Sequence, residues 1–255
     1  MKVAVLGPEG TYTHEAAKKY FEDLQPEFCA TIKEVFESDT KVKFIPVENS
    51  LGGDVTDTID LLRENNETIT GEVRMPIEHA LISEEEFEDI RKVCSHPQAV
   101  SQCKQLVNKN NWDVVEKAST AEAVETLEEG EAAIASEISA EINGKPVLRK
   151  SVQDTDSNTT RFFVLNGDPT PEKKTSMILE PGEDRPGLLH AMLSCFAGHE
   201  INLSHIQSRP TREELGQYYF YIEAEVANGR LEKAVQCLKT YADVNLLGKY
   251  GVKKV

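Results

Sequence analysis

The chain has 255 residues, with 28 Lys+Arg against 44 Asp+Glu, for a formal net charge of −16. That length buries a sizeable core in one or two domains without disulfide staples, and the negative charge argues against non-specific binding to nucleic acid or to an anionic membrane. No apolar run approaches the ~18 residues of a spanning helix, and Met1-Lys2-Val3-Ala4-Val5-Leu6 meets Gly7-Pro8 too early for a secretory signal, so a cytoplasmic protein is expected.

In chain order, residues 2–6 read as a buried strand and residues 13–24 carry apolar side chains at helical spacing. Residues 42–47 form a second strand, and residues 54–62 a helix after Gly52-Gly53. Strands follow at 69–75, 77–82 and 93–95, and then one helix over 97–109 opened by Pro97. Segments 112–115, 121–127, 132–135 and 136–142 continue the alternation. Repeated strand–helix units predict an α/β sheet covered by helices, with sites in loops at the carboxyl ends of strands. Residues 167–174, polar and holding Gly167, Pro169 and Pro171, read as a linker after the strand at 162–165. Beyond it come a strand at 175–179, a helix at 186–197 opened by Asp184-Arg185-Pro186, strands at 201–208 and 217–226 joined by a charged turn, a helix at 231–241 and a strand at 244–250. The order is βαββαβ, a ferredoxin-like module.

The five cysteines (29, 94, 103, 195, 237) are odd in number and include no C-x-x-C pair. This argues against a disulfide framework and a zinc ribbon. Cys94, His96 and Cys103 lack a fourth ligand at sensible spacing, so no metal is expected.

Four polar segments stand at strand–loop junctions. Gly7-Pro8-Glu9-Gly10-Thr11 opens a helix and reads either as a tight turn capped by Thr11 or Thr13, or as an anion site. Glu48-Asn49-Ser50 places a carboxylate, an amide and a hydroxyl before two glycines, which suits either a small polar ligand or a capped helix start. In Ser95-His96-Pro97-Gln98, His96 precedes a helix on which Gln98 and Gln102 share a face. Asn158-Thr159-Thr160-Arg161-Phe162 offers a hydroxyl beside a guanidinium fork, or simply a polar turn entering a strand.

Taken together and in this order, these segments resemble the prephenate dehydratase family. Its Gly-Pro-x-Gly-Thr-Tyr start stands at 7–12, its Glu-Asn-Ser-x-x-Gly segment at 48–53 and its Pro-Ile-x-His segment at 76–79. The Ser-His-Pro-Gln-Ala-x-x-Gln-Cys run stands at 95–103, and the Asn-x-Thr-Arg-Phe signature at 158–162. The last 80 or so residues resemble an ACT regulatory domain: Pro186-Gly187-Leu188-Leu189 stands at a Gly-Ala-Leu-Val position, Ile201-Asn202-Leu203 at an Ile-Asn-Leu segment, and Gln207-Ser208-Arg209-Pro210 at a Glu-Ser-Arg-Pro segment. Two positions depart from the family pattern: Gln207 replaces a Glu, and Ala118 stands where some relatives carry a Glu.

The resemblance implies a two-lobed, periplasmic-binding-protein-like (type II) catalytic domain over 1–166, with lobe one at about 1–76 and 155–166 and lobe two at about 77–154. A linker at 167–174 and a ferredoxin-like ACT domain at 175–255 would follow. It implies a decarboxylating dehydration of prephenate to phenylpyruvate with no cofactor, feedback-regulated by L-phenylalanine, in a homodimer or homotetramer. Thr160 would hydrogen-bond the departing oxygen, with Glu48 or His96 supplying its proton. Arg161 would clamp the pyruvyl carboxylate, beside Phe162, Asn158, Thr11, Asn49, Ser50, Ser95, Gln98 and Gln102. The effector would contact Gly187, Leu188, Leu189, Asn202, Leu203, Gln207, Ser208, Arg209 and Pro210. The alternatives are an arogenate dehydratase, and a non-catalytic amino-acid-responsive binding protein on a shared fold.

Overall fold

A computed structural model describes residues 1–183, 185–212, 217–226 and 229–255. Asp184 and the tip of the charged turn therefore lie outside the described residues. In chain order the elements begin with β1 (Lys2–Leu6), α1 (Tyr12–Tyr20), β2 (Gln25–Cys29), α2 (Ile32–Glu37), β3 (Val42–Asn49), the short β4 (Gly53–Asp54) and α3 (Thr56–Glu64). Next come β5 (Ile69–Pro76), β6 (Ala80–Ile82), β7 (Lys92–Ser95), α4 (Pro97–Gln102), α5 (Lys104–Asn110), β8 (Asp113–Glu116), α6 (Thr120–Glu125), β9 (Glu131–Ala135), α7 (Glu137–Asn143), β10 (Val147–Arg149) and β11 (Thr159–Leu165). The chain ends with β12 (Lys174–Glu180), α8 (Leu188–Ala197), β13 (Leu203–Pro210), β14 (Tyr218–Glu225), α9 (Arg230–Leu238) and β15 (Asp243–Lys254). No described helix is long and apolar enough to cross a membrane.

Two compact units emerge: residues 1–55, 73–162 and 254–255 form one, and residues 56–72 and 163–253 the other. The first unit holds two sheets. One runs β5-β11-β3-β1-β2, and the other β10-β6-β9-β7-β8. β1 is parallel to both its neighbours, and Val3, Ala4 and Val5 are fully buried, as expected of a strand covered on both faces. In the second sheet β7 is parallel to β8 and β9, while β6 runs antiparallel to β9. Its two faces bury separate clusters, one around Val93, Trp112 and Ile134 and the other around Cys94, Val124 and Ala133.

In the second unit the strand order β13-β14-β12-β15 and the chain order βαββαβ describe the expected ferredoxin-like module. One sheet face, with Met177, Leu179 and Ile222, packs under α8 and α9. The opposite face is polar. There Lys174 is buried between Glu72 and Glu223, with its Nζ 2.8 Å from the Glu72 carboxylate.

Several local readings change. β2 and α2 were not expected, because Pro26 and the charged residues 27 and 34 obscure the apolar pattern. β2 tolerates Pro26 because it is an edge strand, bonded only to β1. The single helix over 97–109 breaks at Cys103, whose φ of −122° and ψ of 27° leave the helical region, giving α4 and α5. The helix expected from Pro186 starts at Leu188, after Gly187 turns the chain at φ 81°.

The cysteine expectation is also corrected. Cys195 of α8 and Cys237 of α9 are joined, Cα–Cα 5.7 Å, across 42 residues, whereas Cys29, Cys94 and Cys103 are free and buried. Spacing alone could not show this, because the pair meets only when α8 and α9 pack together. Closing a loop of that length restricts the unfolded chain by about 4 kcal/mol in the chain-entropy model. Dithiothreitol should therefore lower the melting temperature of the oxidised protein, and a Cys195→Ser variant should melt at the lower temperature with or without reductant. Identical melting curves for oxidised and reduced wild type would show that the bridge does not form in solution.

Candidate active site

Successive side chains of a strand point to opposite faces, and β11 uses this at its first residues. Asn158, Thr160 and Phe162 line one cavity of about 300 Å³. Thr159 and Arg161 line another, together with Glu48 and Ser50. Arg161 donates from Nη1 to the Glu48 carboxylate. The expected convergence of Arg161 and Thr160 on one ligand is thus corrected: adjacent positions on a strand cannot serve one cavity. Glu48 is removed from the Thr160 site as well, since it lines the second cavity and pairs with Arg161.

Two further expected contacts resolve differently. Ser95 is fully buried, and its hydroxyl donates to the Ile134 carbonyl at 2.5 Å, tying β7 to β9. Ser50 donates to the Ser157 carbonyl at 2.9 Å and accepts from the Thr159 N–H at 3.0 Å, bracing the end of β3 against the start of β11.

The other predicted residues do meet. Thr11, Asn49, His96, Gln98, Gln102, Asn158, Thr160 and Phe162 all line the first cavity. They arrive on different elements. Thr11 caps α1, accepting from the His14 N–H at 3.3 Å, at the carboxyl end of β1. Asn49 ends β3, and His96 caps α4 after β7, its Nδ1 accepting from the Gln98 N–H at 3.2 Å. Gly52 lets α4 approach Asn49, because a Cβ there would sit 2.9 Å from Gln98 Nε2. Phe162 stacks on Phe44 at 5.1 Å. Pro46, Val55, Ile77 and Ala99 complete an apolar wall.

The cavity also contains residues to which the sequence reading gave no ligand-binding role: Tyr12, Thr13, His79, Ser119 and Thr120. His79 stood within the Pro-Ile-x-His segment, so its position was visible even though its task was not. Ala118 lines the cavity too, so a Glu at that position would enter it. Among the described residues lining it there is no Asp, Glu, Lys or Arg.

Its polar side chains form one connected array. Asn49 Nδ2 donates to Thr160 Oγ1 at 2.9 Å and to Asn158 Oδ1 at 2.7 Å. Asn158 Nδ2 donates to Gln102 Oε1 at 2.7 Å. The same oxygen lies 2.8 Å from His79 Nε2, and His79 Nδ1 lies 2.5 Å from the Tyr12 hydroxyl. Asn158 is 2 % exposed and His79 3 %, so water does not compete for these bonds.

In the second unit, a cavity of about 260 Å³ opens where α8 begins. Gly187, Leu188 and Leu189 line it, with Arg185, Tyr218 and Phe220. Asn202, Leu203, Gln207, Ser208, Arg209 and Pro210 do not. After the bulge between Leu203 and His205, β13 alternates, with Gln207 and Arg209 half-buried and Ser208 and Pro210 exposed. Leu203 packs with the core beneath the helices, and Asn202 Nδ2 donates to Glu225 at 3.1 Å. Arg209 grips Asp60 of α3 through two bonds of 2.9 and 2.6 Å, and Tyr219 donates to the same carboxylate at 2.5 Å. Burial acts to raise the Asp60 carboxyl, but the hydrogen bonds from Arg209 and Tyr219 and the charges of Arg209 and Arg212 outweigh it and hold it below the usual range.

A family model described as "Prephenate dehydratase" matches residues 3–170, and one described as "ACT domain" matches residues 182–243. A prephenate dehydratase of Methanocaldococcus jannaschii is 38 % identical over 96 % of this chain and 96 % of its own. An arogenate dehydratase/prephenate dehydratase of Arabidopsis thaliana is 34 % identical over 99 % of this chain and 73 % of its own. A solved prephenate dehydratase in complex with L-Phe, from Arthrobacter aurescens, superposes with a TM-score of 0.89 at 30 % identity, covering 98 % of this chain and 90 % of that one.

Burial lowers the His79 pKa, opposed in part by its bond to Gln102. Burial lowers that of His14 as well. The unfolded chain takes up these protons near the ordinary histidine value of about 6.5, while the folded chain resists them. Stability is therefore intact above about pH 6.5 and is lost as pH falls through the lower folded values. The urea midpoint should drop between pH values of about 7.5 and 5.5, and His79→Asn should shrink that drop. A drop of undiminished size in the variant would place the titration elsewhere.

Proposed function

This chain belongs to the prephenate dehydratase family and carries an ACT domain, and from that premise we propose that it is a lyase converting prephenate to phenylpyruvate, carbon dioxide and water. The observation that carries the reading is the meeting of five sequence-distant segments, around residues 11, 49, 79, 98 and 160, on one cavity.

The bond changes set what the cavity must do. The ring–carboxylate bond breaks, its electrons become ring π electrons, and the ring hydroxyl leaves from the opposite end. The dianion takes up one proton, which departs in the water. Aromatisation drives the reaction, so the barrier lies in expelling a poor leaving group. Thr160 is the hydroxyl we assign to donate to the leaving oxygen, and His96, in the same cavity, is assigned to orient the water that restores its proton from solvent. His96 Nδ1 accepts from the Gln98 N–H, so the neutral ring offers its Nε2–H as a hydrogen-bond donor and the proton itself comes from solvent.

The absence of a charged side chain among the described lining residues suits the departure of a carboxylate. A salt bridge would stabilise that group most in the ground state and raise the barrier. Neutral donors at Thr11, Gln98, Gln102, Ser119 and Thr120 orient both carboxylates without that cost, and the apolar wall receives the ring. Arg161 keeps a supporting role, pairing with Glu48 on the reverse of the same two strands that carry Thr160 and Asn49.

The reading extends to regulation by L-phenylalanine in the cavity at Gly187, Leu188 and Leu189, where the first N–H groups of α8 meet a carboxylate and Tyr218 and Phe220 meet a ring. The edge strand β13, with Ser204, Ile206 and Ser208 exposed, is the place for a second copy of this chain to pair in a homodimer or homotetramer. A cytoplasmic location fits this chemistry.

Added prephenate should yield phenylpyruvate absorbance. Thr160→Val should reduce kcat by about 10²–10⁴-fold, the usual worth of positioned proton donation, with KM changed by only a few-fold. Wild-type kcat in that variant would remove Thr160 from the mechanism. Arg161→Lys should lower the melting temperature and leave KM within about threefold, since no carboxylate of the substrate rests on it; a tenfold rise in KM would return Arg161 to the ligand. Comparison of kcat/KM on prephenate and arogenate decides between keto and amino side chains, and activity unaltered by millimolar phenylalanine would refute the regulatory reading.

A further inference from the structure

The array around Thr160 has a direction, and that direction is set by groups that cannot reverse. The N–H groups of Leu51 and Gly52 donate to one atom of the Asn49 amide, at 3.1 and 2.8 Å. Backbone N–H is only ever a donor, so that atom is Oδ1 and the other is Nδ2. Both hydrogens of Nδ2 are then committed, one to Asn158 Oδ1 and one to Thr160 Oγ1. Asn158 in turn presents Nδ2 to Gln102, which must receive it on Oε1. His79 Nε2 faces that same oxygen and must carry a hydrogen. His79 Nδ1 is left as an acceptor, and the Tyr12 hydroxyl donates to it. The alternative acceptor for Tyr12, the Glu78 carbonyl, is farther off at 3.3 Å.

The consequence falls on Thr160. Among the described residues, Asn49 is the partner of its hydroxyl, and Asn49 only donates to it. The hydroxyl hydrogen of Thr160 is therefore withheld from the protein and left for the cavity. We infer that Asn49 is a positioning residue that holds Thr160 as a donor toward the leaving oxygen, and that the chain Tyr12–His79–Gln102–Asn158 locks Asn49 in that orientation with His79 as the Nε2–H tautomer. This rests on the dehydratase reading for its kinetic consequence, but not for its tautomer. Burial, which disfavours the imidazolium, keeps His79 neutral and preserves the direction.

Two substitutions of nearly unchanged shape separate direction from structure. Asn49→Asp keeps an acceptor for Leu51 and Gly52 but has no N–H, so Thr160 must spend its own hydrogen on the new carboxylate. Asn158→Asp replaces the donor to Gln102 by an acceptor; Gln102 then turns its NH₂ inward, and His79 must move its hydrogen to Nδ1.

The test uses the full chain labelled with ¹⁵N-histidine, with the His79 signal assigned by its loss in His79→Gln. The expected wild-type spectrum at neutral pH shows His79 protonated on Nε2 alone, and Asn158→Asp moves the proton to Nδ1. Asn49→Asp should lower kcat about 10²–10³-fold, as for loss of one preorganised donor, with KM within about threefold. Added to Thr160→Val, it should cost little more, because the two act as a unit. A wild-type His79 protonated on Nδ1, an unmoved proton in Asn158→Asp, or full additivity in the double variant each overturns the inference. If wild type fails to turn over prephenate, the functional reading fails, while the tautomer still judges the array.

Discussion

Thr160 and Arg161 are neighbours in sequence and look like one functional pair, yet the pleat of β11 sends them to opposite faces. On one face Asn158, Thr160 and Phe162 meet Asn49, His79 and Gln102. On the other, Arg161 meets Glu48. Glu48 lines the cavity of Arg161, whereas Pro46 and Asn49 line that of Thr160, so the ion pair and the amide–hydroxyl contact both join the ends of β3 and β11. A one-residue slip of β11 would exchange its faces and turn Arg161 toward the cavity. The backs of these strands are thus as constrained as the chemistry they support.

A net charge of −16 on the chain and a cavity without a charged side chain among its described lining residues are compatible for a dianionic ligand. Surface charge is screened beyond about 8 Å at physiological salt. On the proposed reading, what the ligand meets at contact distance is a set of neutral dipoles whose directions are already fixed. Such dipoles need no reorganisation as charge moves from a departing carboxylate into a ring and out onto a leaving oxygen. The amides of Asn49, Gln102 and Asn158, all buried or half-buried, cannot reorient singly without leaving two donors or two acceptors facing each other.

The second unit repeats the lesson of alternation. The segment at 207–210 does not line the cavity at the start of α8, and Arg209 reaches to Asp60 of α3, the helix that follows the Asn49 loop in the chain. The cavity at the start of α8 owes its shape to Gly187, whose positive φ turns the chain into the helix. β2 escaped notice for a related reason: an edge strand tolerates a proline and charges, so its sequence lacks the alternation that marks a half-buried strand.

The α/β alternation, the ferredoxin-like order of the last strands and helices, and the motifs at 7–12, 48–53, 95–103 and 158–162 are all properties of short segments. Local spacing is enough to carry them, and the sequence by itself determined these. Which residues of the 158–162 signature share a face depends on β11 starting at Thr159 instead of at residue 162, where the sequence pattern placed it. The partners were decided only by the tertiary structure: that Asn49 meets Thr160 across 111 residues, that Cys195 meets Cys237, that Ser95 and Ser50 are spent on backbone carbonyls, and that Arg161 belongs to Glu48. The physical reason is that a hydrogen bond or a bridge forms between groups, not residue types, and which groups come within 3 Å depends on how separate strands and helices pack.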